Sequence, residues 1–214
     1  MAMSQNESYF NHSRSEMLRF IPTHMERILE VGCGTGGFMS LIKQNRQIET
    51  WGIEPSAASK QAKLIFDHVI ELSVEEAVER LPDDYFDCVI FNDVLEHLVD
   101  PEEVIRVISK KLCKEGRLVC SIPNVRFLPN LYQLLFRKDW KYDPEGGILD
   151  TTHLRFFTKI SIDRLMSDNG FEVEILEGIN PITLLKYRII LFLTFGFFED
   201  ARFMQFACVS KCRK

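Results

Sequence analysis

Arg27-Ile28-Leu29-Glu30-Val31-Gly32-Cys33-Gly34-Thr35-Gly36-Gly37-Phe38 runs from an apolar strand into a glycine loop and out again as a helix. Glycines at alternate positions allow positive φ and let a ligand come up against the main chain. The N–H groups that open the following helix point at such a ligand. Glu30 narrows its chemistry. A carboxylate beside the loop repels a pyrophosphate and suits a ligand carrying an ammonium or sulfonium charge. Gly32, Gly34 and Gly37 also satisfy the looser G-x-G-x-x-G of dinucleotide sites, which alone is a weak signal.

Outward from this stretch, strand and helix signals alternate, which predicts an α/β fold with a mostly parallel sheet covered on both faces. Strands are expected at 27–31, 50–54, 68–72, 86–91, 117–122, 171–177 and 203–210. Helices are expected at 12–20 (a lead-in helix within about 10–24), 37–45, 57–66, 74–80, from 101, and at 158–169. Asp100 can cap, Pro101 fits the first turn, and Glu103 completes a capping box. The last two strands pair as an antiparallel unit at the sheet edge, with strand seven as the antiparallel edge strand. Two irregular insertions, 124–157 and 178–202, follow strands of the sheet half expected to face the substrate.

With 214 residues and 46% hydrophobic content, the chain can bury one substantial core, so 1–214 reads as a single domain. A net charge of −5 without a long basic run argues against a nucleic-acid groove. The six cysteines form no Cys-x-x-Cys pair and read as buried free thiols. The N-terminus is polar and lacks the apolar core of a signal peptide, so a cytoplasmic location is expected. Ile189 to Phe198 is uncharged, and apolar character extends back to Pro181 except at Lys186 and Arg188. It is too short to span a bilayer, which needs about 20 residues. A lid, a homodimer face or a peripheral membrane contact through 181–198 all fit, lid or subunit contact being favoured.

Glu-Val-Gly-Cys-Gly-Thr-Gly at 30–36 resembles the first motif of class I S-adenosylmethionine-dependent methyltransferases. Asn92-Asp93-Val94-Leu95-Glu96-His97 is similar to their fourth. The resemblance covers roughly 10–125 by motif. It implies a Rossmann-like three-layer sandwich with S-adenosylmethionine as cofactor and S-adenosylhomocysteine as product. Glu30, Gly32, Cys33, Gly34 and Gly36 then form the cofactor loop. Ligands of such sheets bind beyond the carboxyl ends of the strands. Glu54, ending strand two, is placed to accept both ribose hydroxyls, with Pro55 and Ser56 flanking ribose or adenine. The third strand's end carries Ser73 and Val74 where the family usually has an acid. Adenine recognition therefore falls to a hydroxyl or to backbone groups. Asn92 and Val94 border the methionine part, Asp93 caps the short turn, and His97 lines the site. Arg14, with Tyr9 nearby, reaches the cofactor's carboxylate if the lead-in helix folds over the cleft.

Methyl transfer needs an aligned nucleophile and, for a hydroxyl, a base. Asp150-Thr151-Thr152-His153-Leu154-Arg155-Phe156-Phe157-Thr158 follows a turn-rich stretch, so His153 is expected in a loop. The string resembles methyltransferases of sugar and cell-surface polysaccharide pathways and, more distantly, ubiquinone-type O-methyltransferases. One reading makes His153 the base, Asp150 its orienter and Arg155 a binder of an anionic group. The other has His153 and Arg155 anchor the insertion to the sheet. Asp143, Asp150 and His153 could hold magnesium, but their spacing does not require it and no metal is assigned. Phe127, Tyr132, Trp140 and Tyr142 would line an acceptor pocket. The expected function is methylation of a small-molecule hydroxyl (saccharide, polyprenyl or aromatic), against a non-catalytic cofactor-binding protein.

Overall fold

The computed structural model describes residues 14–44 and 46–214; Tyr9, the first residues of the expected lead-in helix and Asn45 lie outside them. Within these, β1 (Arg27–Val31), α1 (Gly37–Lys43), β2 (Glu49–Ile53), α2 (Ser59–Ala62), β3 (His68–Ile70) and α3 (Val74–Ala77) form the first half. β4 (Phe86–Asn92), α4 (Pro101–Lys111), β5 (Leu112–Pro123), α5 (Leu128–Tyr132), α6 (Lys159–Asp168), β6 (Phe171–Pro181), α7 (Leu185–Leu193) and β7 (Phe203–Cys212) form the second. The sheet order is β3-β2-β1-β4-β5-β7-β6. All pairings from β3 to β5 are parallel, and β7 runs antiparallel to both neighbours.

The expected fold class holds, with one correction. β7 is the single antiparallel strand, yet it lies inside the sheet and β6 takes the edge. The side chains explain the order. From Gln205 to Ser210 every residue of β7 is buried, as in a strand covered on both faces, whereas β6 puts Glu172, Glu174 and Glu177 at the water-facing rim.

Alternation along the central strands feeds two cores. Leu29, Val31, Val89, Phe91, Leu118 and Cys120 face α4 and α6. Ile28, Cys88, Ile90 and Val119 face α1 and the lead-in segment. The lead-in is a 3₁₀ turn, Ser15–Phe20, rather than an α-helix; Arg14 before it is left-handed at φ 46°, and Met17 and Phe20 bury beneath. α4 starts as expected, with the Asp100 side chain accepting from Glu103 N and Pro101 in the first turn. β5 begins at Leu112, earlier than expected, because Leu112 already pairs with Phe86 across a bulge. The insertions acquire their own structure. α5 passes into a π-helical turn, Gln133–Arg137, and β6 extends through Pro181 before α7 starts.

Candidate active site

The carboxyl ends of β1, β2 and β4 open into a cleft of about 460 Å³. Its floor is the loop after β1. Gly32 N and Cys33 N both donate to the Ile53 carbonyl, at 2.8 and 3.1 Å, which ties the loop to the end of β2. Gly32 sits at φ 67°, and a Cβ there would lie 2.6 Å from Val94 Cγ2. Only glycine lets the Val94 wall come this close. Glu54 clamps the same loop from the side: Oε2 accepts from Gly34 N and Oε1 from Ser56 N, both at 2.9 Å. Its remaining lone pairs stay available to a pair of hydroxyls.

Glu30 is buried at the inner end, and its Oε2 has no hydrogen-bond partner. Burial pushes its carboxyl up to about 8; the Asn92 amide pulls the other way, and the negative Glu54 adds to the rise. The amide atoms of Asn92 are likewise buried without a partner. Three unpartnered polar atoms around one hollow suit a polar ligand.

The cleft gathers Arg14, Glu30, Gly32, Cys33, Gly34, Glu54, Pro55, Ser73, Val74, Asn92, Asp93, Val94 and His97. Gly36 and Ser56 fall outside its lining. Gly36 faces Ile65 and Phe66, where a Cβ would meet side-chain atoms at 3.0–3.1 Å, and Ser56 Oγ accepts from Ala58 N. Ser73 caps α3 by accepting from Glu76 N. Asp93 does not cap the turn after it, whose N-cap is Val94 without a side-chain bond. It pairs instead with the Arg14 guanidinium and accepts from Ser121 Oγ and Gln205 Nε2, at 3.2 and 2.8 Å. Arg14 also meets Ser121 Oγ at 2.8 Å. Ser121 and Gln205, absent from the expected site, are thus part of its frame.

Beyond His97 the insertion closes the end. Leu154 N and Arg155 N donate to the Glu96 carbonyl at 2.8 and 3.0 Å, stitching the 150–155 loop to the 95–97 turn. Arg155 gives its guanidinium to the Val99 carbonyl, so it anchors this loop. Asp150 Oδ1 accepts from both Thr152 N and Thr152 Oγ1 at 2.7 Å; its link to His153 runs through the backbone, His153 N donating to the Asp150 carbonyl at 3.1 Å. His153 is buried, packs its ring edge-on against His97 with centroids 4.7 Å apart, and lies outside the cleft lining, which His97 and Thr152 border.

His153 Nδ1 stands 2.9 Å from the Ile148 carbonyl, which makes it the donor nitrogen and leaves Nε2 basic. Nε2 is 3.9 Å from Glu96 Oε1. Glu96 is fully buried, neither carboxyl oxygen has a hydrogen-bond partner, and burial raises its carboxyl to about 8. Burial also holds His97 below the usual imidazole range, and the neighbouring His153 adds to that. Among the described residues, Glu96, His97 and His153 place ligand atoms within 4.8 Å of one another, whereas Asp143 meets Asp150 through a backbone bridge. Glu96 was not among the expected site residues; its signal was an acid locked between Leu95 and Leu98.

A methyltransferase-domain family model matches residues 5–176. The chain belongs to this methyltransferase family. The methyltransferase is 32% identical over 184 residues to the ubiquinone biosynthesis O-methyltransferase of Chromobacterium violaceum, covering 78% of this chain and 75% of that protein. To the human mitochondrial enzyme of the same name it is 26% identical over 202 residues, with 84% of this chain and 53% of that one covered, so it spans about half the human protein's length. A SAM-dependent methyltransferase from Archaeoglobus fulgidus superposes with a TM-score of 0.72 at 20% identity, covering 96% of this chain and 94% of the other. The cofactor is S-adenosylmethionine, and the chemistry of the cleft fits it: Glu30 Oε2 and Asn92 Oδ1 are unpartnered acceptors that suit a positively charged group, and Glu54 keeps lone pairs that suit hydroxyls.

Proposed function

We propose that this methyltransferase methylates a hydroxyl oxygen of a small-molecule acceptor, a saccharide, polyprenyl or aromatic compound. The bound cofactor supplies the electrophilic methyl group on its sulfonium. The chain's residues supply alignment and a proton acceptor. Glu30, Asn92, Glu54 and the Gly32–Gly34 loop hold the cofactor. The His97–His153 pair takes the acceptor's proton, His97 bordering the cleft and His153 Nε2 being the basic nitrogen. Glu96 Oε1 faces His153 Nε2 at 3.9 Å, where an imidazolium would draw its carboxyl toward the charged form. Asp150 positions His153 by holding the Thr152 turn.

The observation that carries this reading is His97 at the border of the cofactor cleft, with His153 packed against it and a buried carboxyl behind. The names of the relatives support an oxygen acceptor. Incubation with methyl-labelled cofactor and a panel of hydroxylated acceptors tests it; no label transfer to any hydroxyl overturns it.

One observation favours a second reading of the same cluster. At 3.9 Å, His153 Nε2 and Glu96 Oε1 are too far apart for a hydrogen bond, yet spaced as two ligands of one ion. A divalent cation held there would activate the hydroxyl as a Lewis acid. Chelation separates the two: turnover survives EDTA if the histidines act as base, and is lost and restored by added cation if they act as ligands.

A further inference from the structure

We propose that the two insertions form a docking face for an anionic bilayer surface. The face stands apart from the acceptor reading. α5 and α7 pack on each other through Leu128, Tyr187 and Ala201, which fixes their inner sides. The outer side of α7 and the turns that follow both helices are apolar and exposed as well. Phe136 is 72% exposed, Leu185 70%, Phe192 82%, Phe195 99% and Phe197 75%. On α7, Leu185, Ile189, Phe192 and Leu193 recur at helical spacing along the side away from buried Tyr187. A helix apolar on both sides, at the surface, is half-finished as a water-facing element.

Charge identifies what covers it. The chain carries −5 overall, yet 124–145 and 178–198 together hold Arg126, Arg137, Lys138, Lys141, Lys186 and Arg188 against Asp139, Asp143 and Glu145. Glu199 and Asp200, which follow the second stretch, are paired with Arg202 and Arg126. A second copy of this chain would bring the same cationic face against itself. A lipid surface does not. Protruding phenylalanines flanked by lysine and arginine suit the boundary between headgroups and acyl chains, where rings insert and cations meet phosphate. Among the described residues no helix is long and apolar enough to cross a membrane, so the contact is peripheral.

Vesicle co-sedimentation of the full chain tests this, with phosphatidylglycerol–phosphatidylcholine vesicles against pure phosphatidylcholine. Binding is expected to the anionic vesicles alone and to weaken as salt rises. Arg137→Glu with Lys138→Glu should lower it by at least about fivefold for each cation lost. Phe192→Ser with Phe195→Ser should abolish it, with S-adenosylhomocysteine affinity unchanged by calorimetry as proof of folding. Equal binding to both vesicles, or none, overturns the proposal, as does a dimer in light scattering that these phenylalanine changes dissolve.

Discussion

The half of the molecule from Glu30 to Val94 and the half from Asn124 to Arg202 meet at the same end of the sheet but are built by opposite rules. In the first, backbone donors are spent on fixed acceptors: the glycine loop on Ile53, the Glu54 carboxylate on Gly34 and Ser56. The only orphaned polar atoms there, among the described residues, point at the cofactor cleft. In the second, one turn is π-helical, and large apolar side chains face outward. A cofactor shared by a whole family needs a preorganised cradle. An acceptor that differs from member to member is met by grafted segments that the sheet does not dictate. The 95–97 turn and the 150–155 loop are the seam, and the strongest predictions lie on it.

His153→Ala should cost about 10²–10⁴-fold in turnover, the range for removing a proton acceptor, while cofactor affinity stays within about twofold. The residue lies outside the cleft lining, so a parallel loss of cofactor affinity in calorimetry would show that the two halves are not separable. His97→Ala should lower turnover similarly.

Gly32→Ala attacks the cradle itself. A side chain at φ 67° costs about 1–2 kcal/mol, and the 2.6 Å approach to Val94 Cγ2 adds an overpacking cost of similar size. Cofactor affinity should fall about a hundredfold. Gly147→Ala, at φ 90° in the acceptor half with no atom within 4 Å, should leave cofactor affinity intact. Equal losses at both positions would erase the contrast.

Glu30→Gln should weaken cofactor binding about 10- to 100-fold, the worth of one to two charge-assisted hydrogen bonds. Because the Glu30 carboxyl titrates near 8 in the empty protein, binding a cation below that pH expels a proton. Affinity should therefore climb with pH up to about 8 and level off, and the variant's profile should be flat. The stability of the empty protein moves the other way. A carboxyl whose folded pKa lies above its ordinary value of 4.5 binds more protons folded than unfolded between 4.5 and about 8, so stability falls across that window as pH rises. Thermal melts of wild type minus Glu30→Gln isolate this slope, and a rising difference would show that Glu30 is charged in the fold.

That the glycine loop and Glu54 meet at one cleft was legible in the sequence because these parts are local. Gly32, Gly34 and Glu54 belong to one strand–helix–strand unit, and Glu30 changes the ligand's charge by its type alone. Ser121 and Gln205 were hidden because Asp93 recruits them from strands 28 and 112 residues away. Glu96 was hidden for a related reason: its burial exists only once the 150–155 loop has folded over the 95–97 turn. The interior place of β7 was missed, strand seven having been expected at the edge. Its apolar run is only Phe206–Val209, flanked by Gln205 and Ser210, and a run cannot name its neighbours; the choice between β6 and β7 for the edge rests on the glutamates of β6.

The smallest effect is expected at Ser73, where the chain departs from the pattern of acids at the third strand's end. Its hydroxyl accepts from Glu76 N and donates to Glu76 Oε2 at 3.1 Å, so it is occupied as a helix cap although it borders the cleft. Ser73→Ala should remove about 1 kcal/mol, or about 2–4 °C in Tm for a chain of this length. Cofactor affinity should change by less than about twofold, since the backbone groups of Ser73 and Val74 remain to meet the adenine. A tenfold loss of affinity with an unchanged melt would reverse the assignment. The hydroxyl would then belong to the cradle, and the family's missing acid would have been replaced in kind by a shorter side chain rather than by main chain.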